Sequence, residues 1–184
     1  MKVIEKFMKK ALDNKNTQPV TIAFLGDSVT QGCFECYLST ENELETIFDK
    51  NSAYHNYIAK IFSMLFPTVP VNIINAGISG DSAPHGFERL QRDVLCYNPD
   101  LVVVCFGLND CGQKMEGIEK YTTALENIFK KLKEEGKEVI FMTPNMMNTK
   151  ISPHLTNQLT INVAKDVMQR QLDGTLDNYI VEAK

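Results

Sequence analysis

At 184 residues, 43% of them hydrophobic, the chain is long enough for one well-buried core, and a single domain over residues 1–184 is expected. A net charge of −4 and a pI near 5.4, with no basic stripe in any segment, exclude a nucleic-acid footprint. No apolar run approaches the roughly 18–20 residues that cross a bilayer, so no membrane span is expected.

Near the N-terminus, Ile4, Phe7, Met8 and Ala11 recur at helical spacing and predict a short amphipathic helix; there is no apolar stretch of the kind a secretion signal carries. Residues 20–25 form a β-branched and apolar run stopped by Gly26, with apolar residues on both faces, which predicts a buried parallel strand. Cys33 and Cys36 then form a C-x-x-C, but with no second ligand pair and no thioredoxin-like context neither a zinc site nor a redox site is expected. The five cysteines, at 33, 36, 96, 105 and 111, are odd in number and unevenly spaced, which predicts a reduced, cytoplasmic chain.

Tyr54, Tyr57, Ile58, Ile61, Phe62 and Leu65 make an amphipathic helical stripe. Residues 71–74 and 101–106 read as further buried strands. Ile118, Tyr121, Leu125, Ile128, Phe129 and Leu132 form a second helical stripe, with Gly136 as its C-terminal stop. Residues 139–142 are a fourth strand, and 155–184 look helical with a break near Gly174. Strands alternating with helices imply an α/β fold with parallel pairing, right-handed crossovers and helices on both faces of the sheet. Ligands in such sheets bind at the carboxyl ends of the strands.

Those ends carry the chemistry. The first strand ends in Gly26-Asp27-Ser28, exposing a hydroxyl directly after a glycine that permits a tight turn. The second ends in Asn75-Ala76-Gly77, where a backbone N–H can approach a ligand with no Cβ in the way, and the third in Gly107-Leu108-Asn109-Asp110, which offers a side-chain amide. A nucleophile with donors aimed at a developing oxyanion is what acyl transfer requires. Each segment alone has a plainer reading, as a turn or a helix cap, because Asp, Ser and Asn do both. Asp27, Asp81 and Asp110 read as hydrogen-bonding supports for the loops, and Met146 and Met147 as core packing or as the lining of an acyl pocket.

The stretch from Phe24 through Gly26-Asp27-Ser28 to Gly32, then Asn75-Ala76-Gly77-Ile78-Ser79-Gly80, then Gly107-Leu108-Asn109-Asp110, resembles the first three sequence blocks of the SGNH, or GDSL-type, hydrolases in order and spacing. The resemblance covers residues 20–144. It implies a flavodoxin-like three-layer α/β/α sandwich around a five-stranded parallel sheet. It implies Ser28 as the nucleophile and an oxyanion hole made by the Ser28 and Gly77 backbone N–H groups and the Asn109 amide, with Asp27 in support. The substrate implied is a small-molecule ester, carbohydrate O-acetyl esters among the candidates, and no cofactor or metal is called for.

The family's general base sits in an Asp-x-x-His block after a fifth strand, and this sequence holds no such block. Its histidines are His55, His85 and His154, read as surface or capping residues, with His154 the local candidate for a substitute base. The chain therefore looks C-terminally truncated, with the fifth strand absent. Residues 139–142 would then lie at an exposed sheet edge, through which homo-oligomers could form. The rival expectations are a catalytically impaired fragment or ligand-binding descendant of the same fold, and a flavin- or phosphate-binding module. The last is disfavoured because no Walker or dinucleotide motif follows the first strand.

Overall fold

Successive residues of a strand point to opposite faces, and the four apolar runs use both. In the computed structural model, which describes residues 2–38 and 44–184 apart from the side chains of 35–38 and 44–45, they become the parallel strands β1 (Val20–Gly26), β4 (Val71–Gly77), β5 (Leu101–Cys105) and β6 (Glu138–Phe141). Their order is β4-β1-β5-β6, so the chain reverses its direction of winding at β1, where flavodoxin-like sheets form their ligand crevice. Each strand begins or ends within about three residues of the run that predicts it.

One face of the sheet, with Ala23, Leu25, Val102 and Val104, packs against α4 (Ala83–Glu88), α5 (Leu90–Asp93), α6 (Ile118–Glu134) and α8 (Thr175–Glu182) through Ala83, Leu90, Tyr121, Leu125, Ile128, Leu176 and Tyr179. The other face, with Ile22, Phe24, Leu101 and Val103, is covered by α1 (Lys2–Leu12) and α3 (Tyr54–Leu65) through Val3, Phe7, Tyr54, Ile58 and Phe62. The result is the three-layer α/β/α sandwich expected from the sequence. α6 ends as predicted: Gly136, at φ +69°, lets its own N–H reach the Lys133 carbonyl and the Lys137 N–H reach that of Leu132. The C-terminal helical stretch is α7 (Gln158–Leu172) and α8, separated by Gly174.

Four details differ from the sequence reading. β4, expected to be buried, stands at the end of the sheet, with Asn72 and Asn75 exposed and Ala76 its one buried residue. α1 is a helix, but Ile4 and Met8 are exposed and Val3, Phe7 and Lys10 are buried, a face rotated by about one position. In α3 only Tyr54, Ile58 and Phe62 of the stripe pack inward; Tyr57, Ile61 and Leu65 face out, and His55 is buried in their place. An antiparallel hairpin of β2 (Cys33–Leu38) and β3 (Leu44–Phe48), unanticipated from the sequence, stands apart from the main sheet after the one-turn helix α2 (Ser28–Gln31). The Cys36 thiol of the C-x-x-C lies outside the described residues. Among the described residues no helix is long and apolar enough to cross a membrane.

Candidate active site

The register brings three strand ends to one level: Gly26 pairs with Gly77 on one side and with Cys105 on the other. Ser28 opens α2 immediately beyond. Asp27 caps that turn, its Oδ1 accepting the Val29 N–H at 3.0 Å, and the Gln31 N–H returns to the Asp27 carbonyl at 2.9 Å. α2 is pressed onto the strands. A Cβ on Gly26 would sit 2.1 Å from Thr30 Oγ1 and 2.6 Å from the Cys105 carbonyl, and one on Gly77 would sit 2.2 Å from the Gln31 nitrogen. The glycine at 77 predicts a bare backbone open to a ligand; in the structure the freed space is filled by the backbone of Thr30 and Gln31. Any side chain at 77 would therefore push the serine turn away from β4.

The predicted donors are placed unequally. Asn109 does not cap the 3-10 helix that follows it (Asp110–Gly117); its Nδ2 donates to the Asp81 carbonyl at 2.8 Å, using one of two hydrogens and leaving the other for a ligand. The Gly77 N–H donates to Asn75 Oδ1 at 3.0 Å, so a ligand must share or displace that bond. Ser28, half-buried, makes no side-chain hydrogen bond among the described residues. Asn109 lines a cavity of about 460 Å³ with Ser82, Asp110, Gln113, Glu116 and Lys120. Gly77 lines another of about 430 Å³ with Gln31, Lys50, His55, Asn56 and Asn75.

Three buried carboxylates underlie the site: Asp27, Asp81 and Asp110. Burial pushes the Asp27 carboxyl up to about 6, helped by the negative charges of Asp110 and Asp81. Burial does the same to Asp110, up to about 6; its Oδ1 accepts the Ala83 N–H at 2.9 Å and its Oδ2 has no hydrogen-bond partner among the described residues. For Asp27 the folded state then holds the proton more tightly than the unfolded chain, whose aspartates titrate near ~3.9. Stability attributable to this group is greatest below the unfolded value and falls as pH rises toward about 6. Asp27→Asn, which keeps the acceptor for Val29, is accordingly expected to raise stability at pH 8 by on the order of 2 kcal/mol and to change little at pH 4. Denaturant melts at the two pH values check this, and an equal effect at both would contradict it.

The histidines occupy three environments. His55 is buried against Phe24 and Tyr54, at ring distances of 5.7 and 5.8 Å. Among the described residues neither of its nitrogens completes a hydrogen bond, and burial pushes its pKa down, opposed by the Thr30 backbone. His154 lies exposed in the loop before α7, where its backbone N–H reaches Ser152 Oγ at 3.3 Å. His85 is half-exposed, with Nδ1 2.6 Å from Asp81 Oδ1. That is the arrangement in which a carboxylate fixes the imidazole and leaves Nε2 open. The sequence reading missed this pair, although its i, i+4 spacing was the available signal. Of the two methionines, Met147 is buried in the core and Met146 is exposed.

The GDSL-like Lipase/Acylhydrolase family model matches residues 24–176. Among curated proteins, an acetylxylan esterase from Geobacillus stearothermophilus is 24% identical over 132 residues, covering 67% of this chain and 58% of the relative. An arylesterase from Vibrio mimicus is 29% identical over 117 residues, covering 60% and 58%. The chain thus spans a little over half the length of these relatives. Among solved structures, a two-domain esterase active on acetylated mannans superposes with a TM-score of 0.55 at 27% identity, over 76% of this chain and 33% of that one. A lipase/acylhydrolase from Enterococcus faecalis gives 0.53 at 26% identity, over 86% and 73%. With three strand ends in register carrying the three sequence blocks, and a family model matched over most of its length, the chain belongs to the GDSL-like lipase/acylhydrolase family.

Proposed function

We propose that the protein hydrolyses small acyl esters, carbohydrate O-acetyl esters in particular, with Ser28 as the nucleophile and an acyl-enzyme intermediate. The observation that supports this reading is the common level of Gly26, Gly77 and Cys105, the strand ends that lead into Ser28, the Gly77 N–H and Asn109. In the first half-reaction Ser28 Oγ adds to the ester carbonyl as its proton passes to a base, and the alcohol departs with a proton. Water then adds to the acyl-serine, releasing the acid and restoring the hydroxyl. The Ser28 N–H and the second Asn109 hydrogen stabilise the oxyanion, and the Gly77 N–H joins them on exchange from Asn75.

The carbohydrate preference is supported by the matches to the acetylxylan esterase and the acetylated-mannan esterase, and by the polar Gln113, Glu116 and Lys120 beside Asn109. Acetate release from acetylated xylo- and manno-oligosaccharides, set against p-nitrophenyl esters of rising acyl length, tests it. Acetyl esters are expected to be cleaved at least about tenfold faster than long-chain esters, since each added methylene changes binding in a fitted site by on the order of 1 kcal/mol. A preference for long chains would remove this reading. A cytoplasmic setting is supported by the thiols Cys96, Cys105 and Cys111, none of them in a disulfide.

A second reading, a ligand-binding descendant without turnover, is favoured by the lack of a hydrogen-bonded base at Ser28 among the described residues and by the engagement of the Gly77 N–H. The two readings diverge on covalent reactivity, because only an activated serine attacks an electrophile. Self-association through β6 belongs to the same proposal: among the described residues it has a partner strand on one side alone, and Ile140 is exposed. Light scattering is expected to show a mass that grows with concentration and falls back in Ile140→Lys. A monomer at high concentration would contradict it.

A further inference from the structure

A single buried side chain, Arg89 in the link between α4 and α5, joins the parts of this site. Its Nη2 donates to the Gly26 carbonyl at 2.9 Å and its Nη1 to the Ala76 carbonyl at 2.7 Å, the last turns of β1 and β4 before the site. Nε and Nη2 both lie 2.7 Å from Asp81 Oδ2, and Nη1 also reaches Asp93 at 3.2 Å. Asp81 is therefore fixed relative to both strand ends. The carbonyl of this same Asp81 accepts the Asn109 amide at 2.8 Å. Rotation of the Asn109 side chain about its last bond is thereby stopped, and its second hydrogen takes one direction.

The geometry points to Arg89 as a positioning residue that aims the Asn109 amide, acting through Asp81. It touches no substrate. A planar guanidinium with five N–H groups can grip two carbonyls and a carboxylate together, whereas an ammonium is a point charge without that fork. A donor serves a developing oxyanion only if its direction is set beforehand, so loosening Asp81 costs rate even though Asn109 is still present. The inference rests on the esterase reading only for the use made of Asn109; the aiming itself is measurable without turnover.

The test combines side-chain amide NMR with kinetics on wild type and Arg89→Lys. In wild type the two Asn109 Nδ2 protons are expected to be well separated in shift, with the one bonded to Asp81 exchanging at least about tenfold more slowly than an exposed asparagine amide. In Arg89→Lys that protection should be lost, while Asn72, whose amide donates to Thr21 at 3.1 Å on another part of the sheet, stays unchanged. Hydrolysis of p-nitrophenyl acetate should fall about 10- to 100-fold in kcat with KM within about twofold, in keeping with a partial loss of one oxyanion donor. In an Asn109→Ala background Arg89→Lys should have less than about a twofold effect, because residues acting through one another are not additive. An unprotected Asn109 in wild type, an unchanged Asn109 in the variant, equal disturbance of Asn72, or losses that multiply would each overturn the proposal. Should Arg89→Lys fail to fold, Asp81→Asn keeps the carbonyl, removes the gripped carboxylate and is judged by the same results. If the NMR changes appear but wild type hydrolyses no ester, the aiming role stands and the esterase reading is what fails.

Discussion

Ser28→Ala is expected to reduce hydrolysis of p-nitrophenyl acetate to less than a few per cent of the wild-type rate above buffer, with the melting temperature almost unchanged. The side chain is half-buried and makes no hydrogen bond among the described residues, so its removal leaves no polar group unpaired. The turn that carries it is held by other atoms: the Asp27 cap, the Thr30 contact with Tyr54 at 2.9 Å and the close fit of Gly26 and Gly77 against Thr30 and Gln31. In serine hydrolases loss of the nucleophile removes on the order of 10⁶ in rate, leaving what binding and the oxyanion donors supply. Activity retained above that floor in a pure preparation would remove Ser28 from the mechanism.

Asn109→Ala is the second large effect, an expected loss of about 10² to 10³ in kcat with KM little changed. The size follows from the role: a donor used only as charge develops on the oxygen lowers the barrier without tightening the ground-state complex. The structure adds a qualification, because Asn109 also donates to Asp81 across 28 residues of sequence and its removal leaves that carbonyl without this donor. A stability loss of about 1 kcal/mol is therefore expected alongside the kinetic one. A change confined to KM would assign Asn109 to substrate binding instead.

The legible part of this molecule was the part ruled by periodicity. Residues 101–105 are buried along their whole length, and such strands read as unbroken apolar runs because both faces are covered. α6 was equally plain, since a helix on a sheet buries one stripe and leaves the rest to solvent. The hairpin was missed because Phe34, Ile47 and Phe48 are exposed and no core imposes a one-sided pattern on it. The face of α1 was misjudged by about one position where a polar group found a partner outside the helix. Lys10 is buried because its ammonium donates to the Thr17 carbonyl at 2.8 Å, a partner set by the loop and not by the helix.

The site was legible as residue types at strand ends, and illegible as connections. Nothing in the local sequence around Arg89 announces that its guanidinium joins the ends of two strands, because that joining exists only once β1 and β4 are paired. The occupation of the Gly77 N–H by Asn75 is similarly a matter of one side-chain torsion. The His85–Asp81 pair stood at a legible spacing, but the burial that makes Asp81 a fixed partner comes from α4 and the sheet.

The central claim, that Ser28 is an activated nucleophile, is tested most directly by incubating the protein with a fluorophosphonate and locating the adduct by peptide mass spectrometry. The account predicts one adduct per chain, on Ser28, absent from Ser28→Ala and slowed in Asn109→Ala. No adduct at Ser28, or labelling spread over surface serines at the rate of the unfolded chain, would contradict it.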